Sequence, residues 1–204
     1  MDGTEPADLL PAFLKLSGRR VVVVGGGTVA SAKVPPLVRT GAAVTVVAPQ
    51  IASIIERSGV TLVRRDFVDS DLDGAWFVVA AAVPDVNRRV ALAAEARRVF
   101  VNAVDDPVNA SAYAGGVFRR AGVTVAISTD GQAPALAGLL REGLEALLPD
   151  DLDSWMSEAQ HIRHEWIARG VPMPMRRPRL LAALNRLYEQ RDPLATGASK
   201  GEGA

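Results

Sequence analysis

From Arg19 onward the chain alternates short, wholly apolar runs with longer mixed segments. Val21 to Val24 is β-branched throughout and shows no polar alternation, the pattern of a strand buried on both faces of a parallel sheet. Glycines follow at once. Thr28 to Thr40 then reads as a helix closed by Gly41, with Pro35 and Pro36 predicting a kink or a late restart inside it. Ala43 to Ala48 is a second buried strand, so Arg19 to Ala48 makes one βαβ unit of about 30 residues. The rhythm continues with strands at Val60 to Val63, Trp76 to Ala82 and Val99 to Val104, and with a helix at Asp85 to Arg98. Alternation of this kind predicts an α/β fold built on a Rossmann-type doubly wound parallel sheet.

Beyond Asp105 the rhythm changes. The segment DDPVNASAYAGGVFRRAG reads as irregular, Val123 to Ser128 as a strand, and Pro134 to Leu148 as a helix opened by its proline. Helices are expected at Asp151 to Arg169 and Arg179 to Gln190, with GVPMPMRRP as a linker between them. The tail LATGASKGEGA is too polar and glycine-rich to build a core and is expected to lack order. The longest apolar run, Ala75 to Val83, is well short of the roughly 20 residues that a membrane helix requires, so no membrane association is expected. The opening MDGTEPADLL lacks both the basic and the long apolar regions of a secretory signal, which points to the cytoplasm. The absence of cysteine rules out disulfides, thiolate zinc sites and Cys nucleophiles.

The first chemistry lies in the glycines. Gly25, Gly26 and Gly27 with Ala30 spell G-x-G-x-x-A directly after a strand and at the mouth of a helix. In that setting Gly25 permits the tight turn, Gly27 lets backbone approach a pyrophosphate, and Ala30 allows close helix-to-strand packing. Phosphate would sit on the helix N-terminus, beside the amides of Thr28 and Val29. The acid usually found about 20 residues further on is missing, because the second strand ends in Ala48-Pro49-Gln50. Ribose contacts then fall to backbone around Pro49 or to Gln50. No Arg follows to grip a 2′-phosphate, which tilts the reading toward NAD.

With VVVVGGGTVASAK, FVNAVDDPVNAS and VTVAISTDGQAPALAGLLRE in this order, the chain resembles the precorrin-2 dehydrogenase family, the dehydrogenase module of siroheme synthases. The resemblance covers roughly Leu9 to Leu148. It implies NAD-dependent oxidation of precorrin-2 to sirohydrochlorin, in some members Fe²⁺ insertion as well, and a homodimer. It also implies a division into a Rossmann domain at 1–112, a dimerisation region at 113–148 and a helical domain at 149–192, ahead of the tail at 193–204. The family's catalytic aspartate falls on Asp105, in a motif that begins at Asn102. Read from the residues alone, Asp105 stands at the C-terminal end of the fifth strand, where ligands bind in open α/β sheets. A carboxylate there is suited to take the proton that accompanies hydride removal. Asp106 is assigned to shaping the Asp-Pro turn. Ser128 and Thr129 end a strand ahead of a helix and, with Asn102, are candidate substrate contacts. Two departures stand in this segment: Asp130 replaces a family glycine and Ala133 a serine.

His161, His164 and Glu165 do not have a zinc-protease spacing and read as a solvated helix face. Trp155 and Trp166 read as anchors on one helix face. The 23 Lys+Arg balance 23 Asp+Glu, which argues against a general nucleic-acid binder. That neutrality is uneven: residues 1–160 hold 15 basic against 19 acidic side chains, and residues 161–204 hold eight against four. Lys15, Lys33 and Lys200 are the lysines and the other basic residues are Arg, suited to bidentate carboxylate contacts. The basic tail reads first as a solvated helical face; the sharper alternative is that Arg163, Arg169, Arg176, Arg177 or Arg179 helps hold the carboxylates of the substrate that the resemblance implies. The rival reading from a different class is a nucleotide-sensing regulatory module that binds NAD(H) or ATP without chemistry.

Overall fold

The computed structural model describes residues 8–189. They divide into two compact units, one formed by 8–115 with 128–137 and the other by 116–127 with 138–189.

The first unit holds β1 (Arg20–Val24), α1 (Thr28–Val38), β2 (Ala43–Val47), α2 (Ser53–Glu56), β3 (Thr61–Val63), β4 (Phe77–Ala80), α3 (Pro84–Arg97) and β5 (Phe100–Ala103). All strand pairs are parallel and the order is β3-β2-β1-β4-β5, so the chain winds outward from β1 in both directions. This is the doubly wound arrangement expected of a dinucleotide fold. The period-two geometry of a strand sends alternate residues of β1 to opposite layers. Val22 and Val24 join Val78, Ala80, Val90 and Val101 under α3. Val23 joins Ala30, Val34, Val46 and Ile55 under α1. Each fully buried valine contributes about 1.5–3 kcal/mol, which is why β1 carries no polar residue after Arg20.

Helix α1 is continuous through Pro35 and Pro36, so it does not restart after them. The prolines fall near its C-terminal end, and the helix is closed beyond them by Arg39 N–H to the Pro35 carbonyl (3.1 Å) and Gly41 N–H to the Val38 carbonyl (2.9 Å). Few turns remain for the missing donors to disturb.

The second unit contains a strand that the irregular reading missed. β6 (Gly116–Arg120) pairs antiparallel with β7 (Val123–Ile127) around the two-residue turn Ala121-Gly122, whose φ values of 49° and 79° are those of a type I′ hairpin. The second unit also takes most of α4 (Pro134–Leu147), together with α5 (Leu152–Ala168) and α6 (Met173–Glu189). The expected linker shrinks accordingly, because α6 begins at Met173 and continues through Pro178. Pro174 lies in the first turn, where its absent N–H would be unsatisfied in any case. Arg176 Nε donates to the Val171 carbonyl (3.0 Å) and ties the helix start to the turn before it. Arg163, Arg169, Arg177 and Arg179 are exposed, and Trp155 and Trp166 are half-buried. His161 Nε2 lies 3.5 Å from Glu165 on the solvent side of α5. The glycine-rich tail expected to lack order lies outside the described residues. Among the described residues no helix is long and apolar enough to cross a membrane.

Candidate dinucleotide cleft and active site

At the C-terminal ends of β1, β2 and β4 the chain leaves a cleft of about 620 Å³, within the range of small-ligand sites. Its wall is the glycine loop, and each glycine there answers a different constraint. Gly25 has φ +117°, and a Cβ on it would stand 2.2 Å from the Ala81 carbonyl oxygen. A Cβ on Gly26 would stand 2.1 Å from the Gln50 carbonyl oxygen. These two positions are closed to any side chain by backbone on either side. Gly27 is different: a Cβ there would meet nothing within 4 Å, so the space over its backbone is open to a ligand. The loop is stitched in place by Gly25 N–H to the Val47 carbonyl (2.9 Å) and Ala52 N–H to the Gly26 carbonyl (2.8 Å).

Gly27 is also the N-cap of α1 and no side chain caps it. The first amides of α1 are therefore left for a partner from outside the helix, and the helix dipole favours an anion there. Thr28 and Val29 stand exposed on this first turn, at the mouth of the cleft rather than in its lining. Gly25, Gly26, Gly27, Pro49 and Gln50 all line it. An uncapped helix end, an open backbone cradle and an adjoining apolar slot fit a dinucleotide. In that fit Gly27 and the first turn of α1 would hold the pyrophosphate, and the Pro49-Gln50 turn would border the ribose.

Sequence reasoning missed Asp66, Phe67 and Arg89, which line the same cleft. Asp66 and Phe67 follow β3, the strand outside β2, and Arg89 projects from α3. Arg89 donates to the Phe67 carbonyl (3.3 Å) and its guanidinium lies 6.0 Å from the Phe67 ring centre. The signal that would have found Asp66 is register: Val47 pairs with Val63, so the residues just past Val63 must rise beside Ala48 to Gln50.

Asp105 lies beyond the end of β5, exposed, with φ +56°. Aspartate is among the few non-glycine residues that enter the left-handed region readily, so this φ turns the chain sharply off the end of β5 and leaves the carboxylate in solvent. Among the described residues no hydrogen bond or ion pair engages its carboxylate. Its neighbour Asp106 behaves otherwise, accepting from Asn109 Nδ2 (2.7 Å) in a local turn. Asn102 is buried on β5. Its amide donates to the Ala112 carbonyl (3.0 Å), and its Oδ1 finds no partner among the described residues. Asn102 thus ties down the segment that follows Asp105.

Ser128 and Thr129 begin the turn before α4, and their hydroxyls are used within it. Ser128 Oγ accepts from Asp130 N–H (3.0 Å), and Thr129 Oγ1 accepts from Ala133 N–H (3.2 Å). Asp130 has φ +53°, which explains how it stands where the resemblance predicts glycine: Asp is among the few residues that enter the left-handed region readily. Gly131 presses on the Tyr113 ring and Pro107, leaving only 2.9 Å to the ring for a Cβ. The turn is in this way fastened to the segment just after Asp105.

Comparison with known proteins gives this geometry a family. An NAD(P)-binding family model matches residues 12–116, and the model of the sirohaem biosynthesis protein central segment matches residues 120–147. Siroheme synthase 3 of Aeromonas hydrophila subsp. hydrophila is 38% identical over 205 residues, covering 97% of this chain and 42% of the relative. Siroheme synthase 2 of Cronobacter sakazakii is 44% identical over 161 residues, covering 76% of this chain and 35% of the relative. The chain thus spans about two fifths of the length of the curated relatives it matches. Among solved structures, SirC, precorrin-2 dehydrogenase, superposes with a TM-score of 0.64 over 87% of this chain and 100% of its own, at 24% identity, a likeness of fold. The chain belongs to the NAD(P)-binding family, in the form that continues into the sirohaem biosynthesis central segment.

Proposed function

We propose that the chain catalyses the NAD-dependent oxidation of precorrin-2 to sirohydrochlorin, as a cytoplasmic homodimer. The observation that carries the reading is Asp105: an exposed carboxylate held at φ +56° at the C-terminal edge of the sheet that also forms the dinucleotide cleft. Precorrin-2 and NAD⁺ give sirohydrochlorin, NADH and one proton. NAD⁺ supplies the hydride acceptor when bound. Gly27 and the first turn of α1 hold its pyrophosphate, and the Pro49-Gln50 turn borders its ribose. Asp105 accepts the proton that leaves the macrocycle, a contribution worth about 10²–10⁴ in rate for a well-placed base. Asn102 holds the backbone on which Asp105 sits. Ser128 and Thr129 present the turn against which the substrate rests.

The dimer is assigned to the region 113–148. Leu136, Leu139, Leu140, Leu144 and Leu147 of α4 are all exposed, and Leu147 is 80% so. They recur at helical spacing along one stripe, an apolar face of the kind that marks a protein interface. A second copy of the chain supplies its cover.

One assay tests the reaction and separates its rivals. Purified protein is mixed with precorrin-2 and NAD⁺, and then with Fe²⁺. NADH is expected to form without iron. Binding of NAD⁺ without turnover would identify a sensing module instead, and iron insertion into the product would add a ferrochelatase, with Fe²⁺ as its substrate. Sedimentation of wild type against Leu139→Glu/Leu140→Glu tests the dimer: the variant is expected to sediment as a monomer.

A further inference from the structure

The loop after β3 reaches the cleft although no motif points to it. In the order β3-β2-β1, the end of β1 carries the glycine loop and the end of β2 carries Pro49-Gln50. β3 lies one strand further out, its Val63 carbonyl accepting from Ala48 N–H (3.1 Å). A dinucleotide whose pyrophosphate rests at Gly27 extends past β2 with its ribose and meets the end of β3 with its base. There the cleft is lined by Phe67, Val83 and Val86, an apolar setting for a planar ring, with Arg89 and the exposed Asp66 beside them. Asp66 is the carboxylate in the cleft lining. A carboxylate only accepts hydrogen bonds, and the adenine edge offers an exocyclic amine as donor.

We infer that Asp66 is the residue by which this chain selects adenine as the cofactor's base, its carboxylate accepting a hydrogen bond from the exocyclic amine. The inference rests on the dinucleotide reading of the cleft. It also accounts for the missing acid after β2: the acidic group of this cleft comes from the next strand out and reads the base instead of the ribose. Hypoxanthine carries a carbonyl oxygen where adenine carries the amine. Two acceptors then face one another, and the pair repels where the adenine pair attracts.

The test is equilibrium binding by calorimetry of three probes, NAD⁺, nicotinamide hypoxanthine dinucleotide and NADP⁺, to wild type, Asp66→Ala and Asp66→Asn. Wild type is expected to bind the hypoxanthine analogue about fivefold to tenfold more weakly than NAD⁺, in line with one hydrogen bond lost at a rim. Asp66→Ala lowers NAD⁺ affinity to near that of the analogue and lowers NADP⁺ affinity by the same factor, since both carry adenine. Asp66→Asn, whose amide both donates and accepts, removes the preference while keeping the affinity. Equal binding of NAD⁺ and the analogue by wild type would overturn the assignment. So would a gain in NADP⁺ affinity in Asp66→Ala with the base preference intact, which would make Asp66 a guard on the ribose. Failure of all three probes to bind wild type would instead overturn the dinucleotide reading itself. Circular dichroism of the two variants, each altered at an exposed position, confirms that they fold.

Discussion

Arg65 holds Asp71 with both ends of its guanidinium, at 2.7 and 2.5 Å, across the turn that carries Asp66 and Phe67 into the cleft. Asp71 also accepts from Val68 N–H (2.9 Å), and Arg20 Nη2 donates to the Asp71 backbone carbonyl (3.0 Å). The Arg65 hydrogen bonds hold the Asp71 carboxyl below its ordinary range, with the Val68 amide adding to them against the opposing effect of burial. The two arginines and one buried carboxylate make this short loop a fixed wall.

Asp71→Asn keeps the shape and loses the charge. A lowered carboxyl pKa stabilises the fold above the ordinary carboxylate value and loses that stabilisation as the pH falls through the folded value. The variant is expected to be about 1–3 kcal/mol less stable at neutral pH in urea unfolding, with the gap from wild type closing as the pH falls below about 4. NAD⁺ affinity should drop while turnover at saturating NAD⁺ holds, because Asp71 positions the wall and touches no reacting atom. A gap that stays constant down to low pH would show that the ionised form contributes nothing.

The glycine loop yields a paired prediction. Gly25→Ala forces a Cβ against the Ala81 carbonyl at a φ of +117°, so its cost falls on the fold: several kcal/mol of stability, read as a lowered midpoint in thermal unfolding. Gly27→Ala meets no protein atom within 4 Å and should unfold near the wild-type temperature. Its added methyl stands in the space assigned to the pyrophosphate, so its cost should appear in NAD⁺ affinity, tenfold or more. If Gly27→Ala binds NAD⁺ as wild type does, the pyrophosphate lies elsewhere.

The backbone at Asp105 decides which substitution is informative. Alanine at φ +56° adds strain to the loss of the carboxylate, whereas asparagine enters the left-handed region at least as readily as aspartate. Asp105→Asn is therefore expected to keep the melting temperature and the NAD⁺ affinity. Its kcat for precorrin-2 oxidation should fall by about 10²–10⁴. Unchanged turnover in single-turnover NADH formation would remove Asp105 as the base.

The parts of this fold that were legible in the sequence are those with one physical cause. β1, β2, β4 and β5 bury most of their residues, so apolar runs mark them, while the short β3 is half-exposed and is marked only by its place in the alternation. The glycine loop is readable because steric closure at Gly25 and Gly26 leaves no other residue possible. β6 hid because Arg119 and Arg120 stand on a half-exposed hairpin strand beside Gly115 and Gly116, where local composition resembles a loop. The start of α6 hid because Met173 to Pro178 holds two prolines and the helix tolerates both. Asp66 and Arg89 were not legible because they come to one cleft only when β3 and α3 are assembled around β1, and no spacing along the chain records that.

The turn at Asp130 separates a backbone requirement from a charge. Its φ of +53° favours glycine, asparagine or aspartate, and its backbone amide, which any of them supplies, donates to Ser128 Oγ at 3.0 Å. The carboxylate itself is exposed, 3.4 Å from Ser128 Oγ, and adds a negative charge to the turn assigned to a polycarboxylate substrate. Asp130→Gly should leave stability within about 1 kcal/mol, since glycine accepts the conformation at modest entropic cost. Removing one exposed charge of the same sign as the substrate should lower its KM by about twofold to fivefold at low salt, with kcat unchanged. The advantage should vanish at high salt, where the Debye length falls to about 3 Å. Asp130→Ala gives the control: it loses the same charge but strains the turn, so KM should improve less and stability should fall. A rise in KM for Asp130→Gly would mean that the carboxylate accepts a hydrogen bond from the substrate, and the repulsive reading of this departure would have to be abandoned.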